Sequence, residues 1–168
     1  GITATGSWEC IKIHFLEQKK DIQRESSSVV GIGDMSGDVF GNGMLLSKFI
    51  QLKAAINHIH IFIDPNPINL ESSWKERKRL FETARSTWKD YDSKKISSGG
   101  GVFDRSAKSI ELSNEIKTFL NIEEDSLSGP DLIKAVLKAD VDLIWNGGIG
   151  TYFKSEQESN LSVLDPYN

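Results

Sequence analysis

The chain has 168 residues, 38% of them hydrophobic and 26% charged, which suits one domain with a real core and is too short for two large ones. Its formal net charge of −4 gives no electrostatic reason to bind nucleic acid or an anionic membrane. No apolar run approaches the roughly 20 residues that span a bilayer, and the amino end shows no signal or transit pattern, so a cytoplasmic protein is expected.

The pattern from 2 to 20 predicts a helix, with Trp8, Ile11 and Phe15 on one face and Thr3 or Thr5 able to cap it. Cys10 lies within it. It has no second thiol to pair with and no ligands at metal spacing, so it reads as packing in a reducing compartment. A charged stretch and three serines mark a surface turn before a short buried strand, Val29 to Ile32. A mostly apolar helix is expected from about Gly37 to Ala55, carrying Phe40, Met44, Leu45, Phe49 and Leu52. His58 to Ile63 reads as the second strand, stopped by Asp64, Pro65, Asn66 and Pro67 because proline cannot donate to a ladder.

Residues 68–127 exceed an ordinary connection and read as an insertion. Within it, Glu71 to Phe81 suggests an amphipathic helix whose lysines and arginines form a solvated face. Ser97 to Phe103 suggests a glycine-rich loop, and a short helix is expected after Ser113. Arg105 and Lys108 are candidates for tying the insertion to the nucleotide domain or to a neighbouring one. A clearer helix follows from Ser128 to Ala139, with Ser128 as its cap and Pro130 in its first turn. Val141 to Trp145 is a third strand, running into Asn146 and a glycine loop. The alternation predicts an α/β fold, Rossmann-like and doubly wound, with a mostly parallel sheet and helices on both faces.

The chemistry concentrates on three places. Gly31 and Gly33 fall in the register of a dinucleotide loop, with Ser36 and Gly37 where a third glycine is usual. Backbone N–H groups of Met35, Ser36 and Gly37 would face a pyrophosphate at a helix start. Asp34 would repel that phosphate, so it is expected to cap the helix or point toward the ribose and nicotinamide. A calcium loop fails, since Val39 and Leu45 stand where a glycine and a bidentate carboxylate are needed. Asp64, ending the second strand, is expected to accept from a ribose diol and so favour NAD over NADP. Asn146 and Gly147 would border a flat ring at the same edge. His58 and His60 lack a third ligand, so packing or exposure explains them and no metal site is expected.

These stretches, namely Gly1 to Gly6, Val29 to Leu46, His60 to Pro65, Ser97 to Ile110 and Asp142 to Tyr152, carry a family pattern. Over essentially its whole length the chain resembles the coenzyme-binding region of the large bacterial NAD-specific glutamate dehydrogenases. The resemblance implies oxidative deamination of L-glutamate to 2-oxoglutarate and ammonia, with hydride passed to NAD. It places Thr5 and Asp34 near the carboxamide, Asp64 on the ribose, and Asn146 and Gly147 beside the nicotinamide. It departs at the end, where Leu164 to Asn168 include Pro166 at a usual arginine. The family's catalytic lysine and aspartate belong to a preceding substrate domain. The 168 residues are thus expected to be a cofactor-binding fragment of a longer homo-oligomeric enzyme, without catalytic residues of their own. The competing readings are an S-adenosylmethionine-dependent methyltransferase and a non-enzymatic nucleotide sensor.

Overall fold

The computed structural model describes residues 8–9, 11–13, 26–33, 40, 44–146 and 150–153. Strands run over Ser27–Ile32 (β1), Ile50–Ile56 (β2), His60–Ile63 (β3), Gly101–Asp104 (β4), Ile110–Glu111 (β5), Ser126–Leu127 (β6), Leu143–Asn146 (β7) and Gly150–Phe153 (β8). Helices run over Leu70–Glu82 (α1), Asn114–Leu120 (α2) and Gly129–Leu137 (α3), with short 3-10 turns at Met44–Leu46, Trp88–Asp90 and Ser93–Lys95. Trp8, Glu9 and Ile11 to Ile13 are helical.

Each of the three helices begins where a side chain replaces a missing backbone acceptor. Asn69 accepts from the Ser72 N–H at 2.9 Å, Ser113 from Ile116 at 3.2 Å, and Ser128 from Asp131 at 3.2 Å. Pro130 sits in the first turn of α3, where its missing N–H costs nothing. Asn121 ends α2 in the left-handed region at φ 55°.

The main sheet has the order β4-β3-β2-β1-β7-β8. β1 is parallel to β2 and β7, whereas β2–β3, β3–β4 and β7–β8 are antiparallel. The fold is α/β, as expected, but the sheet is mixed rather than mostly parallel. The predicted helix from Gly37 to Ala55 accounts for this. Phe40 and the turn at Met44–Leu46 are helical, yet Ile50–Ile56 is a strand. The chain then turns tightly at Asn57 and returns as β3. Asn57 holds that turn by accepting from the N–H groups of Ile59 at 2.8 Å and His60 at 2.5 Å.

Neighbouring residues of each strand fall in different apolar clusters. Val29, Phe62 and Leu143 pack with Trp8, Phe40, Leu80, Trp88 and Tyr91, while Val30, Ile61 and Ile144 pack with Ile116, Leu132 and Val136. Side chains alternate across a pleated strand, so these clusters cover opposite faces. α1 therefore covers one face, and α2 and α3 the other. A bulge adjusts the match: Val29 pairs with Leu52 and Val30 with Ala54, leaving Lys53 extra. Leu52 and Ala55 can then face the same cluster although they are three residues apart.

Residues 68–127 are structured and built into the domain, since β4 extends the sheet and α1 and α2 help cover its faces. Among the described residues no helix is long and apolar enough to cross a membrane.

Candidate nucleotide-binding edge

The three parallel strands β2, β1 and β7 end together, at Ile56, Ile32 and Asn146. The amino ends of β1 and β7 are pinned by a reciprocal clasp: Ser28 N–H donates to Asp142 Oδ2 at 3.0 Å, and Asp142 N–H to Ser28 O at 3.0 Å. The carboxyl ends open onto the polar edge where ligands collect in open α/β sheets.

Gly33 leaves β1 there with φ 154°, a conformation L side chains rarely adopt, and its N–H donates to Ile56 O at 3.0 Å. Gly31 is required for another reason. A Cβ at that position would stand 2.5 Å from Phe40 Cε1 and 2.8 Å from Met44 Cε. Its missing side chain seats Phe40 and Met44 beneath the turn, a packing requirement of its own. Asn146, half-buried, pairs with Ile32 across the strands and so stands beside the same turn. Thr5, Asp34, Met35, Ser36, Gly37 and Gly147 lie outside the described residues.

Asp64 is elsewhere. Because β3 runs back against β2, Asp64 N–H donates to Lys53 O at 2.8 Å, three residues short of Ile56. At about 3.3 Å per residue this is about 10 Å from the carboxyl edge. The expectation that Asp64 closes the second parallel strand is therefore corrected; β2 itself ends at Ile56, and Asn57 follows it. Asp64 is 1% exposed, and Ser97 N–H donates to its Oδ1 at 3.1 Å. It lines a cavity of about 300 Å³ together with Asn66, Asn69, Ser72, Lys95 and Ser97.

Burial raises the Asp64 carboxyl above the usual carboxylate range, against the opposing hydrogen bonds of Ser97. Ionising it thus costs the folded state more than the unfolded chain. Its contribution to stability is full below the unfolded carboxylate's pKa and is lost as pH rises through the higher folded value. Asp64→Asn should accordingly gain stability relative to the parent as pH rises from about 4, the unfolded carboxylate's value, through the higher folded one. Thermal unfolding of both proteins at several pH values measures this, and a constant difference in Tm would show that Asp64 does not titrate there.

Two residues named from the sequence, His60 and Arg105, meet the carboxyl edge with partners that the sequence pattern does not show. His60, 4% exposed, has Nε2 3.8 Å from Asp104 Oδ1, and Lys89 Nζ lies 3.1 Å from the same oxygen. Burial, then Lys89, pulls the His60 pKa down, with Asp104 opposing. His58 is exposed. Arg105 Nη1 donates to Asn57 O at 2.9 Å, so it does tie the segment after β4 to the end of β2; Lys108 is exposed. Among the described residues no three His, Cys, Asp or Glu side chains converge on a metal position.

The expected solvated face of basic residues is seen at Lys75, Lys78, Arg79 and Arg85, but not at Arg77. Arg77 in α1 is fully buried, and neither Nη1 nor Nη2 has a hydrogen-bond partner. Burial draws its pKa down to about 10. Only a three-dimensional packing could show this, since the periodicity places Arg77 among five charged neighbours from Lys75 to Arg79 and Glu82.

Residues 1–168 match the family described as "Bacterial NAD-glutamate dehydrogenase, catalytic domain". The chain is 56% identical over 168 residues to an NAD-specific glutamate dehydrogenase of Pseudomonas aeruginosa, covering 100% of this chain and 10% of that protein. It is 54% identical over 174 residues to the Mycobacterium tuberculosis protein of the same name, covering 100% and 11%. The Halomonas elongata protein of that name is 54% identical over 167 residues, covering 99% and 10%. The chain thus spans about a tenth of the length of these curated relatives.

Proposed function

Because the chain belongs to the bacterial NAD-glutamate dehydrogenase catalytic-domain family, we propose that it is the cofactor-binding part of a longer enzyme. That enzyme oxidatively deaminates L-glutamate to 2-oxoglutarate and ammonia with NAD. The observation that carries the reading is the whole-length family match, joined to an edge where three parallel strands converge beside Gly33 and Asn146. On this reading β2, β1 and β7 are the core of a Rossmann-like, doubly wound arrangement, and the antiparallel strands extend it.

The described residues suit a dinucleotide. Gly33 keeps its turn free of a side chain, and Asn146 offers both a donor and an acceptor amide beside it. Thr5, Asp34, Met35, Ser36, Gly37 and Gly147 complete the proposed contact set, whereas Asp64 is not part of it. NAD, when bound, supplies the acceptor for hydride. This chain's residues bind and orient it, and the groups that hold glutamate and move its proton belong to the rest of the enzyme. Placing the substrate carbon against the ring is an orientation one wall of a cleft cannot supply.

The methyltransferase alternative likewise expects an acid after β2, where Asn57 stands, and it lacks the whole-length family match that supports the dehydrogenase reading. The nucleotide-sensor alternative predicts binding without chemistry in the full-length protein. Glutamate-dependent formation of NADH by the full-length protein, beside the 168-residue chain, tests the proposal. Turnover is expected from the first and NADH binding without turnover from the second. Sustained turnover by the 168 residues would sink the division of labour, and an inert full-length protein would sink the activity.

A further inference from the structure

In a dinucleotide fold the adenosine ribose lies at the carboxyl end of the strand beside the glycine turn, where a carboxylate ordinarily receives it. Here that strand is β2, and it offers none. Asn57 follows it, and its side-chain oxygen is occupied by the N–H groups of Ile59 and His60. What the fold delivers instead is Arg105. β4 is antiparallel to β3, with Asp104 opposite His60, so it ends at the same edge as β2.

Arg105 follows immediately, and its turn is held from three sides. Its N–H donates to Ile59 O at 2.8 Å, its Nη1 to Asn57 O at 2.9 Å, and Gly129 N–H donates to Ala107 O at 2.8 Å. Gly129 approaches so closely that a Cβ there would stand 1.9 Å from Arg105 O. The neighbouring acid does not neutralise Arg105, since Asp104 is engaged by Lys89 at 3.1 Å. The guanidinium is exposed, and the bond to Asn57 uses one of its five N–H donors. A fixed backbone with a solvent-facing fork of donors matches hydroxyl and phosphate oxygens.

Resting on the dinucleotide reading above, we propose that Arg105 binds oxygens of the cofactor's adenosine diphosphate moiety. The β2 side of the site is thus recognised by a guanidinium anchored on Asn57 O, and not by a carboxylate.

The test uses the full-length enzyme and ADP-ribose, which carries the adenosine diphosphate half without the nicotinamide. Arg105→Ala should raise both the KM for NAD and the inhibition constant of ADP-ribose by about tenfold, with a much smaller change in kcat, and calorimetry without NAD or glutamate should show the same rise in the Kd of ADP-ribose. Arg105→Lys should recover part of the loss, and Lys108→Ala, one turn away and exposed, should leave ADP-ribose inhibition as it was. If Arg105→Ala does not fold, the pair Arg105→Lys and Arg105→Met decides, the first inhibited by ADP-ribose more strongly than the second. Equal inhibition of the parent and the arginine variants overturns the inference alone. An unsubstituted enzyme that neither uses NAD nor responds to ADP-ribose overturns the dinucleotide reading with it.

Discussion

Trp88→Ala should cost about 3–5 kcal/mol of stability, the range for removing a buried aromatic from a packed core. Trp88 is 0% exposed and joins three rings: Phe40 edge-on at 4.9 Å, Phe62 stacked at 4.7 Å and Tyr91 stacked at 6.2 Å. Those contacts tie the segment after the glycine turn, the return strand β3 and the segment after α1 into one face. A loss of this size is a large part of the roughly 5–15 kcal/mol that holds a domain together. The melting temperature should fall on the order of 10 °C, and soluble yield should fall with it. Retention of the parent Tm would mean that the cluster repacks around the void.

Arg77→Met should act in the opposite direction. The guanidinium keeps its charge at neutral pH although burial draws its pKa down to about 10. Its two terminal nitrogens have no partner, and Nε reaches Ser73 O only at 3.4 Å. A buried charge without compensation is costly, and replacing buried ionic groups with apolar side chains of similar volume stabilises by about 1–4 kcal/mol in favourable cases. Methionine keeps most of the packed stem, so the cavity penalty of an alanine is avoided. Thermal and denaturant unfolding should both show a gain. A lower Tm would reveal that the guanidinium has an acceptor in solution.

Local chemistry in the sequence was enough to place α2 and α3, because Ser113 and Ser128 cap them and Pro130 fits only a first turn. β1 and β7 were legible as short β-branched or apolar runs beside glycine. β2 was not. Gln51, Leu52, Lys53, Ala54 and Ala55 are all helix formers, and they become a strand only because β1 and β3 offer a ladder on either side. That one misreading moved Asp64. With β2 taken as helix, β3 became the second parallel strand and Asp64 its carboxyl end. Arg105 was legible as a tie for the insertion, but its place at the carboxyl edge was not, since that depends on β4 pairing with β3 and on Gly129 arriving 24 residues later in the sequence.

The clasp between Ser28 and Asp142 joins residues separated by 114 positions, and this has a bearing on how the protein is made. β2 and β3 are near neighbours, and β4 pairs with β3 across 38 to 44 positions, so this flank can pair while the chain is still leaving the ribosome. β7 emerges much later, and its pairing with β1 must close a separation of 114 positions. The proposed nucleotide edge, with Gly33 on β1 and Asn146 on β7, is therefore expected to be the last part assembled, so a nascent chain would hold a finished flank before that edge existed.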